Sequence, residues 1–124
     1  MTSYISAFNN LILKFNQELI ETFPEENEFK VYKRSLEWLM KSNVKKVCNL
    51  FKVYTINFRE KIVQKDESFF LENNNYSQVV DTQDEGIVLI INKLKKYWGT
   101  LSDSNKENIW GYMNTLIKLG DLVQ

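Results

Sequence analysis

Apolar side chains recur at steps of three and four along most of this chain, and that spacing admits little other than packed amphipathic helices. Tyr4, Phe8, Leu11, Ile12, Phe15, Leu19 and Phe23 form the longest such stripe, which predicts a first helix from about Ser3 to Phe23 with Ser3 as its N-cap. Only four Gly and one Pro occur in 124 residues, too few for the many tight turns of a sandwich or barrel. A hydrophobic fraction of 44% with three Trp, six Tyr and eight Phe supplies enough apolar surface to offset the entropy of ordering one domain. The expected fold is therefore all-α: a compact bundle of five to six helices built from antiparallel helical hairpins, with residues 1–124 forming a single domain.

The remaining helices follow from caps and spacing. Pro24 is suited to the first position of a second helix, where Glu25, Glu26 and Glu28 complement the positive end of the dipole. That helix should run from about Glu25 to Lys41 and bury Phe29, Tyr32, Leu36, Leu39 and Met40. Ser42-Asn43 reads as a turn capping a third helix, Val44 to about Tyr54, antiparallel to the second. Thr55 to Gln64 is read as helix because Phe58 and Ile62 keep helical spacing, against a β-favouring run from Val53 to Ile56. Asp66 to Leu71 is expected to be a short turn whose aromatics plug the core, followed by a polar connection around 72–85. A helix from about Glu85 to Trp98, closed by Gly99, and a last helix to Leu122 with a Ser104/Glu107 capping box complete the reading.

The sequence contains no His, which removes the commonest general base and metal ligand, and a single Cys cannot supply a zinc site. Neither a phosphate loop, a dinucleotide fingerprint nor a nucleophile elbow is present. No cofactor and no metal is expected, and the chain is expected not to be an enzyme. Cys48 reads as a small buried hydrophobe, with a reducing, intracellular setting as the expectation. The longest apolar run, Ile87 to Ile91, is five residues, so neither a membrane span nor a signal peptide is expected. The acidic stretches Glu25–Glu28 and Asp81–Glu85 lack the ligand spacing of a calcium loop and are read as helix-start charges.

A net charge of zero hides a strong asymmetry. Between Lys30 and Lys65 there are ten basic residues against two acids, Glu37 and Glu60, so this stretch is net +8 and the rest of the chain balances it. The candidate partner-binding residues are Lys33, Arg34, Lys41, Lys45, Lys46, Lys52 and Arg59, which could steer an acidic protein surface if they converge on one face. Two readings compete. In one, these cations only solvate the outer faces of the helices; in the other, they form a site, with nucleic acid as the alternative to a protein partner, Arg34 and Arg59 on phosphates and Tyr32 or Tyr54 stacking. Phe69, Phe70, Trp98 and Trp110 are read as core fillers, with a groove for a partner helix as the alternative. A homodimer through an apolar helix face is compatible with the same pattern.

Two stretches carry a resemblance: Lys61-Ile-Val-Gln-Lys-Asp-Glu-Ser-Phe-Phe-Leu71 followed by Tyr76, and Tyr97-Trp98 with Leu101-Ser-Asp-Ser-Asn-Lys-Glu-Asn-Ile-Trp110. In these the chain resembles a set of small, uncharacterised helical proteins of nucleocytoplasmic large DNA viruses, the giant viruses. Fourteen Asn and fourteen Lys suit an AT-rich viral genome. The resemblance implies a viral protein acting in the cytoplasm of an infected cell or in a viral factory; it implies no activity and no functional residue. The function expected is a non-enzymatic protein-interaction module, an adaptor or scaffold subunit within a viral gene-expression or virion complex.

Overall fold

The computed structural model describes residues 3–71 and 87–123. The chain is all-α. Seven helices occur among these residues: α1 (Tyr4–Thr22), α2 (Glu28–Ser42), α3 (Lys46–Thr55), α4 (Arg59–Val63), α5 (Ser68–Leu71), α6 (Ile87–Tyr97) and α7 (Asp103–Leu122), with a 3₁₀ turn at Trp98–Thr100. The expected connection around 72–85, and any start of α6 before Ile87, lie outside the described residues.

The stripe on α1 buries Phe8, Ile12, Phe15 and Leu19, and the Ser3 hydroxyl caps it by accepting from the Ser6 N–H at 3.4 Å. Pro24 does not open α2 as its φ would allow. The Glu26 N–H instead returns to the Phe23 carbonyl at 3.0 Å, so Pro24 sits in a tight turn and α2 begins at Glu28. The expected helix over Thr55 to Gln64 is broken: the Phe58 N–H bonds the Thr55 carbonyl at 2.9 Å, and only the short α4 follows. That break, with the helical turn α5 at Phe69 and Phe70, raises the count above the expected five or six. The cap of α7 also differs, because Ser102 rather than Ser104 accepts from a backbone N–H, that of Asn105, at 3.1 Å. Ser102 has the extended backbone that an N-cap needs, whereas Ser104 is already helical.

Cross-helix contacts fix the hairpin directions. Phe23 stacks on Phe29 where α1 meets α2, while Asn9, early in α1, reaches the Val44 carbonyl beyond the far end of α2, so the two run antiparallel. Phe8 lies beside Gly120 and Phe15 stacks on Tyr112, so α1 and α7 are antiparallel as well. α1 packs most extensively on α7 and α2, α3 packs on α6, and α4 and α5 close the ends against α7 and α6. One hydrophobic cluster joins all of them. At its centre Phe70 stacks on Trp98 at 4.1 Å between ring centroids, and Trp110 meets both edge-on. These aromatics are core, as is Cys48, whose thiol burial holds above its ordinary range.

Candidate functional site

Three groups of polar side chains could carry chemistry, and two of them are consumed by the fold. Lys93 of α6 is largely buried, and its ammonium bridges Glu26 at 3.0 Å and Glu28 at 2.8 Å. The Tyr97 hydroxyl donates to Glu26 and the Tyr32 hydroxyl to Glu28 at 2.7 Å. Glu28 lies below its ordinary range because Lys93 and Tyr32 both donate to it, and Lys93 lies above its own range chiefly because Glu28 accepts from it. Tyr32 is pushed up to about 12 by burial and by the Glu28 carboxylate. The expected helix-start acids thus grip a lysine and staple α6 to the α1–α2 corner. A cleft of about 470 Å³ beside Phe23, Pro24 and Tyr97 offers Glu26, which this network already engages.

The second group lies at the end of α7. Arg59 forms a two-pronged ion pair with Asp121, and the Lys52 ammonium donates to the Val123 carbonyl at 3.2 Å. Both cations line a cleft of about 120 Å³ between α3 and α7. Lys52 and Arg59 therefore hold the last helix in place and stand apart, in their bonding, from the other expected binding residues.

The third group is the outer face of α2. The core-facing residues Phe29, Leu36 and Leu39 define one side of that helix, and at about 100° per residue Trp38 falls almost diametrically opposite Leu36. Trp38 is 67% exposed and Val31, two turns before it, 60% exposed. Lys30, Arg34 and Lys41 run along one edge of this ridge, and Ser35 and Ser42 along the other. Lys30, Lys33, Arg34 and Lys41 are exposed and form no ion pair among the described residues. Lys45 is exposed in the turn before α3, and Lys46, half-buried, opens that helix. The structure thus divides the seven expected residues: Lys33, Arg34 and Lys41 belong to the solvent side of α2, Lys45 and Lys46 follow at its end, and Lys52 and Arg59 face α7.

Sequence reasoning missed Trp38. Its helical register relative to Leu36 and Leu39 carried the signal, but a Trp in a small helical domain reads as core. A large indole left mostly in water beside unpaired cations is the least explained feature of the surface. Among the described residues no helix is long and apolar enough to cross a membrane. No family model matches the chain, and no curated protein or solved structure shows significant similarity to it.

Proposed function

We propose that the chain is a non-enzymatic protein-interaction module, an adaptor or scaffold subunit, that docks onto an acidic protein surface through the outer face of α2. The observation that carries this reading is Trp38, exposed on a ridge edged by Lys30, Arg34 and Lys41. Trp and Arg are the side chains most often found at the energetic centre of an interface, and unpaired cations around them set the on-rate and the sign of the partner. The absence of His and the engagement of Glu26, Glu28 and Asp121 in ion pairs support a role without catalysis.

The likeness of the Lys61–Leu71 and Leu101–Trp110 stretches to small giant-virus proteins supports a role in a viral gene-expression or virion complex, in the host cytoplasm or a viral factory. A second reading, nucleic-acid binding by the same α2 edge, rests on the local charge. Affinity capture from infected-cell extract with the wild-type protein and with Trp38→Ala, each washed at low and high salt, separates the two. A defined protein set held at high salt by wild type and lost from the variant supports the adaptor. Recovery of nucleic acid that elutes with salt, with no Trp38-dependent protein, replaces it with the second reading.

A further inference from the structure

The outer face of α2 is asymmetric about its ridge, and the asymmetry describes its partner. Val31 and Trp38 are seven residues apart, about 10.5 Å along the axis, which is the spacing at which a helix presents successive anchors to another helix. All the cations lie to one side: Lys30, Arg34 and Lys41 are roughly 50–90° around the helix from the ridge. The opposite edge begins at Glu28, which Lys93 and Tyr32 already engage, and otherwise carries Ser35 and Ser42, small enough to let a second helix approach closely. Glu37 flanks the cationic edge, roughly 110° around the helix from the ridge.

We propose that the occupant of this face is an amphipathic helix of a partner protein, with an apolar seam on Val31 and Trp38 and a row of carboxylates opposite Lys30, Arg34 and Lys41. The proposal rests on the reading of α2 as a docking face. A second copy of this chain packed antiparallel would set the cationic edge against itself, which is repulsive, and packed parallel would set it against Ser35 and Ser42, which offer no opposite charge. A lipid surface is uniform in its plane and favours cations on both flanks of an apolar ridge, whereas here one flank is serine. A run of phosphates would meet Glu37 and would leave Val31 unused. A protein helix meets each feature: its seam covers the ridge, its acids meet the cations, and one basic or amide side chain answers Glu37.

The test uses the full chain and a displayed library of about 20-residue helices with a constant leucine seam, in which the edge positions vary among Glu, Gln and Lys. The expected result is enrichment of Glu at the edge that meets the cations, with binding weakened at least about tenfold by Trp38→Ala and by the reversal Arg34→Glu plus Lys41→Glu. The reversed protein should then select Lys at those same edge positions. Both sets of changes fall on exposed side chains outside the core, so the fold is retained. Trp38-dependent helices that show no preference for Glu overturn the acidic-helix proposal and leave α2 as a docking face. No Trp38-dependent helix at all, or a shift of Trp38 emission produced instead by a 20-mer of uridine or by anionic vesicles, overturns the adaptor reading with it.

Discussion

The Asn16 side-chain amide is fully buried between α1 and α2 and donates to the Phe29 carbonyl oxygen at 2.9 Å. Two turns earlier on the same helix, Asn9 donates to the Val44 carbonyl at 3.0 Å, so α1 grips α2 near its first turn and just past its last. A polar group inside an apolar contact has few partners within reach, which fixes the axial register of the two helices more sharply than leucines alone. The Oδ1 of Asn16 has no hydrogen-bond partner among the described residues. Asn16→Ala should therefore lower stability by about 1–3 kcal/mol in urea unfolding, and Asn16→Asp, which buries a charge beside a carbonyl, by more. Equal stability of Asn16→Asp and wild type at neutral pH would contradict the buried bond.

The three tryptophans occupy opposite environments, and this can be read directly. Trp98 and Trp110 are buried and Trp38 is 67% exposed. Acrylamide should quench one accessible component of the emission, and Trp38→Phe should remove it and leave a blue-shifted remainder. Truncating Trp98 to Ala should lower stability by about 3–5 kcal/mol through lost stacking and a residual cavity. Truncating Trp38 should change stability by less than about 0.5 kcal/mol. Similar losses from both would place Trp38 in the core.

Stability should be flat across neutral pH and fall at both extremes. Glu28, Glu67, Asp66 and Asp121 all sit below their ordinary ranges, Glu67 because Lys106 and the Trp98 indole donate to it and Asp121 because Arg59 does. A depressed carboxyl stabilises above its unfolded value and loses that contribution as pH falls through the folded one, so the acid limb starts near 4.5 for Glu and 3.8 for Asp. Lys93 is raised above 10.5 and Tyr32 from 10.0 to about 12, so their contributions are fully present below 10.5 and 10.0 and are lost as pH rises from there through the folded values. No His titrates between the limbs. Thermal melts followed by circular dichroism from pH 2 to 11 should show a plateau, and a stability transition between pH 6 and 8 would contradict it.

Gly111 lies in the interior of α7, exposed, and a Cβ added there would meet nothing within 4 Å. Alanine at that position loses less backbone entropy on folding, so Gly111→Ala should raise stability by about 0.5–1 kcal/mol. A measured loss would mean that α7 needs glycine for close approach of another surface.

Much of the helical framework could be read from spacing, because burial follows the same period as the backbone. Phe8, Ile12, Phe15 and Leu19 were sufficient for α1, and Trp110, Met113, Leu116 and Ile117 for α7. The misreadings arose where local propensity leaves two solutions and tertiary packing chooses. Pro24 suits a turn as well as a first helical position, and the linking of Glu26 and Glu28 to Lys93, more than sixty residues away, accompanies the turn. Phe58 keeps helical spacing from Tyr54, yet it packs against Phe69 across a break in the backbone that no local pattern announces. The candidate site was half legible. The charge of Lys30–Lys65 was visible as a total, but a total cannot separate Arg34 on open helix from Arg59 paired across the fold with Asp121. The buried amides of Asn9 and Asn16 were invisible, since a polar residue on an apolar stripe looks like a simple interruption of it.

The two sides of α2 answer to different selective pressures. Phe29, Leu36 and Leu39 are fixed by their neighbours, so drift there is purged as loss of the folded state. Val31, Arg34, Trp38 and Lys41 are exposed and have no such neighbours to satisfy, so substitutions among them leave the scaffold standing. The outer surface of this helix can therefore change one codon at a time without the chain passing through an unfolded ancestor.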